Sequence, residues 1–201
     1  MNVSRRSLFS AAGSFAAATL LKPLPSVADP VCVSPALIRR ALDALNAHAA
    51  EIPNRDIIAI ADFSLPSRTP RFHLLDVANA RVLGSHLVAH GRGSDPGHTG
   101  WLQRFSNVPS SNATSAGAYR TDGFYIGEHG RSIRLTGLDA SNDNALERAI
   151  VVHAAWYVSP EMASVHGVLG RSEGCFALSS ADLPDVLARI ATGHMIYADK
   201  I

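Results

Sequence analysis

Apolar positions follow two patterns along the chain, a helical one near the beginning and a strand-like one after it. The helical spacing joins six residues: Leu37, Ile38, Ala41, Leu42, Leu45 and Ala49. Residues spaced in this way share one face of a helix, which predicts a helix packed on a core. Ser34 and Pro35 favour a helix start, as N-cap and first helical residue, and Pro53 ends the predicted helix.

After Pro53, short apolar runs are separated by turn residues, which is the pattern of β-strands. The predicted strands lie at 57–63, 72–77, 82–89, 124–126, 132–135, 149–158 and 195–198. The second and third form one hairpin, and the fourth and fifth form another around Glu128-His129-Gly130. Ser179 followed by Asp182 resembles a helix cap and predicts a short helix over 183–190, which Gly193 ends.

The segment 91–118 is rich in Gly, Ser, Asn, Pro and Thr, which predicts a long loop. A loop of this length inside a compact domain is usually functional. The elements together predict a mainly β fold, sandwich-like, with an N-terminal helix and a short helix near the C-terminus. We assign 29–55 to the helical segment and 56–201 to the β domain.

The size and charge of the chain narrow the class of protein. It has 201 residues, 47% of them hydrophobic, and a formal net charge of +1. This length fits one domain with its own core. Charges of both signs are scattered along the chain, which argues against nucleic acid or an anionic membrane surface as the main partner.

The first 28 residues have the pattern of an export signal. Arg5-Arg6 precedes an apolar, Ala-rich run, and Ser26-Val27-Ala28 has small residues where a signal peptidase requires them. The twin arginine resembles a Tat signal, and the run is too short and too weakly apolar for a comfortable transmembrane span. We predict a signal peptide at 1–28 and a mature protein of the periplasm or cell envelope without an integral membrane span. A retained anchor or a soluble helix is the alternative.

Export changes the expectation for the two cysteines, Cys32 and Cys175. Oxidising conditions favour a disulfide between them. Cys32 lies just after the proposed cleavage site, where chains are usually loosely held, and the residues before it do not form a lipoprotein box. We predict a free thiol at Cys175, with the disulfide as the alternative.

The segment 170–175, Gly-Arg-Ser-Glu-Gly-Cys, carries the candidate chemistry. Glycines around a short polar stretch allow a tight turn whose N–H groups point outward. Cys175 at the end of this turn is placed to attack a carbonyl, and the nearby N–H groups are candidate donors to the developing oxyanion. We predict Cys175 as the nucleophile, with four oxyanion- or substrate-binding residues: Arg171, Ser172, Glu173 and Gly174.

Arg171 has two interpretations. Its guanidinium is suited to binding a substrate carboxylate, and its charge to lowering the pKa of the thiol. An ordinary surface arginine is the alternative.

A thiol near its free pKa is mostly protonated at neutral pH and needs a base. His153 interrupts the apolar run 150–156, where it needs hydrogen-bond partners that an active-site edge supplies. A core histidine bonded to the backbone is the alternative, and His166 lies in a segment with little periodicity. We predict His153 as the base, within about 4 Å of the Cys175 sulfur and with its other ring nitrogen on a backbone carbonyl.

The strand histidine, together with Gly174-Cys175 after a Gly-Arg-Ser turn, resembles the catalytic domain of L,D-transpeptidases, the YkuD-like family. The common pattern of that family has a second histidine where this chain has Glu173. The form Gly-Arg-Ser-x-Gly-Cys, with Asn144-Ala145 shortly before the strand histidine, is similar to a divergent branch. The resemblance extends over about 57–197.

This resemblance implies a YkuD-type fold and a cysteine acyltransferase or peptidase acting on peptidoglycan peptides. The thiolate would attack the carbonyl between the L-centre of a diamino acid and a terminal D-Ala, which leaves as a thioester forms. An amine from a second stem would then give a cross-link, and water would give a carboxypeptidase. The sequence leaves both outcomes open. A catalytically weak or inactive cell-wall-binding module is the alternative.

A metal hydrolase is a further rival, because nine histidines are available. The chain contains no H-E-x-x-H, and His98, His153 and His166 do not stand at a recognised zinc spacing. We therefore predict neither a metal site nor a cofactor.

The export pattern makes a direct prediction about the mature chain. Signal peptidase cleavage after Ala28 leaves an N-terminus at or near Asp29. N-terminal sequencing of the protein recovered from its native cell envelope checks this. An intact Met1, or a lipid-modified Cys32, would contradict it.

Overall fold

The structure is a computed structural model that describes residues 33–201 together with Met1. Apart from Met1, the predicted signal peptide 1–28 lies outside the described residues, and so does Cys32.

Within residues 33–201 the chain forms three helices and eight strands. The helices are α1 (Pro35–Ala47), α2 (Pro160–His166) and α3 (Leu183–Arg189). The strands are β1 (Ile57–Asp62), β2 (Phe72–Asp76), β3 (Arg81–His86), β4 (Gly117–Gly127), β5 (Gly130–Gly137), β6 (Val151–Ala154), β7 (Phe176–Leu178) and β8 (Met195–Asp199). A single 3₁₀ turn, Arg92–Ser94, lies in the long loop between β3 and β4.

All eight strands belong to one mixed sheet, in the order β3-β2-β1-β8-β4-β5-β6-β7. Its neighbours are antiparallel except β1 with β8 and β6 with β7, which are parallel. An isolated antiparallel bridge joins Ala89, just after β3, to Ala177 in β7. Because β3 and β7 are the two edge strands, this bridge draws the edges together and wraps the sheet around its core.

The continuous apolar run of β1 reflects burial on both faces of the sheet. Ile58 and Ile60 pack in the cluster beneath α1, whereas Ala59 and Ala61 pack in the main core on the opposite face. Successive strand residues point to opposite faces, so a strand buried on both sides has no polar alternation. Helix α1 therefore covers one face of the sheet with Leu37, Ala41 and Leu45.

The expectation of a mainly β fold with a helix before it and another near its end is confirmed. Helix α1 is shorter than predicted and ends at Ala47, ahead of Pro53, so Ala49 lies outside it and is exposed. Ser34 occupies the N-cap without a capping bond from its side chain. The predicted contact between Ser179 and Asp182 forms, because the Ser179 hydroxyl accepts the Asp182 amide at 3.0 Å, but the N-cap of α3 is Asp182, which makes no side-chain capping bond.

Two elements were not predicted, and one predicted strand is much shorter than expected. Helix α2 has no buried residue, so it shows no apolar periodicity. Strand β7 has only three residues. The strand predicted over 149–158 is limited to Val151–Ala154, because the apolar residues after it pack in a separate cluster around α2.

Among the described residues, no helix is both long enough and apolar enough to cross a membrane.

The packing of α1 on the sheet is testable by truncating its buried face. Leu45 is 1% exposed, and Leu45→Ala should reduce the free energy of unfolding by about 2–5 kcal/mol through lost burial and a cavity. Asp43→Ala, on the exposed side of the same helix, is the matched control. Urea unfolding followed by circular dichroism measures both, and equal effects would show that α1 does not pack on the sheet.

Candidate active site

The two residues predicted to carry the chemistry lie in and directly before two neighbouring parallel strands. His153 is in β6, and Cys175 directly precedes β7. The register pairs Val152 with Phe176 and His153 with Ala177. The sequence separates these residues widely, and the β6–β7 pairing brings them to one end of the sheet, where both line the same cleft.

The turn before Cys175 is closed by Ser172. The Ser172 hydroxyl donates to the Cys175 carbonyl at 2.7 Å and accepts the Gly174 amide at 3.2 Å. Gly174 has φ +120°, a conformation that L side chains rarely adopt. The Ser172 hydroxyl and the Gly174 amide are bonded to each other within the turn, and the roles of both residues in binding substrate or oxyanion stay predictions.

Segment 90–92 braces this turn through the main chain. The Ser172 amide donates to the His90 carbonyl at 2.9 Å, and the Arg92 amide donates to the Ser172 carbonyl at 2.8 Å. Gly91 lies between these bonds, and a Cβ there would stand 2.3 Å from the Asn112 carbonyl oxygen. The backbone thus approaches so closely that only glycine fits.

A buried chain of polar groups supports segment 90–92. Arg71 Nη2 lies 2.8 Å from His90 Nδ1, and His90 Nε2 lies 3.5 Å from Asp95 Oδ2. Burial lowers the pKa of Arg71 to about 9 and the pKa of His90 to about 3. His90 is therefore neutral at physiological pH and accepts from Arg71. The Asp95 carboxylate also accepts the amides of Thr99 and Gly100, which orders the loop beyond it.

Cys175 is a free, half-buried thiol. It donates to the Ala149 carbonyl at 3.7 Å. Burial raises the pKa of the thiol, and this outweighs the Val151 amide and the positive charge of Arg148, which both lower it. The resting side chain is therefore a protonated thiol that needs a base before it attacks.

His153 is buried, with an exposed fraction of 2%. Its Nδ1 lies 2.9 Å from the Ala154 carbonyl oxygen, which can only accept, so Nδ1 carries the proton. The neutral ring then keeps Nε2 free of a proton and able to accept one. Burial, as the largest cause, lowers the pKa of His153, so the ring stays neutral to lower pH than an ordinary histidine.

The cleft around the two residues has a volume of about 590 Å³. Four parts of the chain outside the motif 170–175 also line this cleft: the tip of the β4–β5 hairpin, the segment before β6, Val151 in β6, and the segment after β6. Tyr157, in the last of these, has its pKa raised to about 12, first by burial and then by the charges of Cys175 and Glu173.

The remaining predicted residues lie around this cleft in different roles. Arg171 lines it and donates through Nη1 to the carbonyls of Asp95 and Pro96. The cation that lowers the thiol pKa is Arg148 rather than Arg171, which corrects that expectation. Glu173 is exposed and pairs with Arg92 at 2.7 Å. His166 is exposed at the end of α2 and does not line the cleft.

Sequence reasoning missed the cleft residues outside the motif other than His153, among them Arg148 and His129. Arg148 is anchored by the carbonyls of Ser106 and Ala113, and no motif marks it. His129 stacks on His153 with ring centroids 4.2 Å apart. The sequence signal for His129 was its place in a predicted hairpin turn. That signal does not show that the turn lies against His153, because the tertiary fold decides which residues meet.

Among residues 33–201, no three His, Cys, Asp or Glu side chains are grouped so that they could hold a metal ion.

Comparison with known proteins identifies the family. The L,D-transpeptidase catalytic domain matches residues 31–198, so the chain belongs to this family. A search of the curated proteins finds no match.

Solved structures of L,D-transpeptidases are similar to the chain at low identity. L,D-transpeptidase 3 from Mycobacterium tuberculosis is 15% identical, with 72% of this chain and 60% of that chain covered and a TM-score of 0.46. An L,D-transpeptidase from Mycobacterium smegmatis is 15% identical, with 72% and 58% covered and a TM-score of 0.44. A variant of the helical cell shape determining protein Pgp2 from Campylobacter jejuni is 10% identical, with 84% and 57% covered and a TM-score of 0.47. The chain thus spans about three fifths of the length of these structures.

The close main-chain approach at Gly91 gives a testable prediction. In Gly91→Ala the new Cβ would stand 2.3 Å from the Asn112 oxygen and 2.8 Å from the Gly174 nitrogen, so the nucleophile turn must shift. We expect a loss of about 1–3 kcal/mol in the free energy of unfolding and slower alkylation of Cys175. Gly123→Ala is the control, because a Cβ there meets nothing within 4 Å. Unchanged alkylation in Gly91→Ala would contradict the bracing role.

Proposed function

We propose that this protein is an exported cysteine enzyme that forms a thioester with peptidoglycan stem peptides, as an L,D-transpeptidase or an L,D-carboxypeptidase. The observation that carries this proposal is the free Cys175 thiol in one cleft with His153, whose tautomer the Ala154 carbonyl fixes. Membership of the L,D-transpeptidase catalytic domain family supports the substrate class.

In the first half of the reaction, His153 Nε2 takes the thiol proton as the sulfur adds to the carbonyl carbon of the donor peptide. The amides of Glu173 and Cys175 are the proposed oxyanion donors, since the Gly174 amide is held by Ser172. The C–N bond then breaks, and the leaving D-Ala amine receives the proton from His153. This gives the thioester and restores the neutral imidazole.

In the second half, an amine from a neighbouring stem or a water molecule attacks the thioester. His153 accepts the proton of the attacking group and returns it to the sulfur as the thiol leaves. Because burial favours the neutral forms of both Cys175 and His153, the resting pair is thiol and imidazole rather than an ion pair. The rate should fall as the pH decreases through the lowered pKa of His153, because the protonated ring no longer accepts.

Incubation with purified disaccharide-tetrapeptides, with products identified by mass spectrometry, tests the proposal. Loss of D-Ala alone indicates a carboxypeptidase, and a cross-linked dimer indicates a transpeptidase. Cys175→Ala should abolish both products, whereas Cys32→Ala should leave turnover nearly unchanged. Binding of the fragments without any product would favour the cell-wall-binding module, and an equally inactive Cys32→Ala would favour a disulfide.

The same design separates the two histidines. His153→Ala should slow iodoacetamide alkylation of Cys175 at neutral pH by about 10²-fold or more, since the base is lost. His166→Ala is the matched control and should alkylate like the unaltered protein. A stronger effect of His166→Ala than of His153→Ala would overturn the assignment of the base.

A further inference from the structure

The tip of the β4–β5 hairpin places a second imidazole against the candidate base. Gly127 and Gly130 pair across the two strands, so Glu128 and His129 form the turn between them. The His129 ring lies on the His153 ring with centroids 4.2 Å apart and an angle of 23° between the planes. His129 itself is exposed, whereas His153 is 2% exposed.

The stack of His129 on His153 restricts a motion of the His153 ring that the hydrogen bond to Ala154 leaves free. The Nδ1 bond to Ala154 fixes one edge of the His153 ring but leaves the ring able to rock about that contact. A flat ring packed on its face opposes such rocking. It also keeps water from that face of the buried imidazole.

We propose that His129 is a positioning residue for the reaction: its ring, stacked on His153, holds the base in the plane in which Nε2 serves Cys175. This inference rests on the proposed function only in taking His153 to be the base, and the stack itself carries it.

The electrostatic surroundings of His153 agree with this role. Burial lowers the pKa of His153, the Ala154 hydrogen bond raises it, and the charge of His129 lowers it. On β5, Arg134 pairs in register with Val151, and its guanidinium lies over the Tyr125 ring, 4.2 Å from the centroid. The other titratable or charged groups that line the cleft are Tyr125, Glu128, Arg148, Tyr157, Arg171, Glu173 and Cys175. Of all these groups, His129 is the one stacked directly on the base.

Two substitutions separate the ring from its charge. His129→Phe keeps an aromatic ring that can stack but removes the positive charge, whereas His129→Ala removes both. His166→Ala is the matched control, since it removes an exposed histidine that does not line the cleft. The hairpin turn is exposed at His129, so neither substitution disturbs the core.

Nuclear magnetic resonance titration of the His153 imidazole in a Cys175→Ala background measures the effect without interference from the thiol. His129→Phe should raise the titration midpoint of His153 by about half a pH unit or more, because a like charge is lost. His129→Ala should raise it further, because water also reaches the ring. The ring ¹⁵N shifts should report the Nδ1–H tautomer in the parent and in His129→Phe, and a mixture of tautomers in His129→Ala.

An unchanged midpoint and tautomer in both variants, equal to those of His166→Ala, would overturn the inference. The readout needs neither substrate nor thiol, so it is independent of the proposed function. If the tetrapeptide assay gives no product while the midpoint shifts, the proposed function fails and the effect of His129 on His153 stands. If turnover is seen while the titration is unchanged, only the role of His129 fails.

Discussion

The position of the nucleophile depends on the two main-chain hydrogen bonds between Ser172 and segment 90–92. These bonds join the turn before β7 to the chain that leaves β3, at opposite edges of the sheet order. They form because Gly91 has no side chain, so the Asn112 carbonyl and the Gly174 amide approach its backbone. The buried side chains of Arg71, His90 and Asp95 support segment 90–92, so we expect a change in this contact to shift the sulfur.

The electrostatics of the cleft favour an uncharged resting pair. Taking a thiolate or an imidazolium out of water costs free energy, and burial is the largest influence on both Cys175 and His153. Arg148 opposes this for the sulfur, but its guanidinium is held by backbone carbonyls at one side of the turn. The proposed reactivity of the Cys175 thiol therefore depends on where the base His153 is placed, more than on a preformed thiolate–imidazolium pair. The groups that orient His153 are important for this reason.

The sequence could predict those residues of the candidate site that are neighbours along the chain or that lie in an element with a recognisable apolar pattern. Cys175 follows a Gly-rich turn, and His153 interrupts an apolar run, so both carry local signals. No motif marks Arg148, and the predicted turn that holds His129 does not show what the turn meets, because only the tertiary structure brings these two side chains to the cleft. Ser172 was assigned to the site but is engaged within the turn, a distinction that depends on hydrogen-bond geometry.

The sequence by itself determined the mainly β character, helix α1 and both hairpins, because apolar periodicity and turn residues act over a few neighbouring residues. It also determined which thiol and which strand histidine to consider. Only the tertiary structure decided the strand order, the wrapping of the sheet through Ala89 and Ala177, and the neighbours of the site. Strands β6 and β7 are four and three residues long, too short to show a period. Their parallel pairing is set by burial against the rest of the core, and it is this pairing that brings Cys175 and His153 into one cleft.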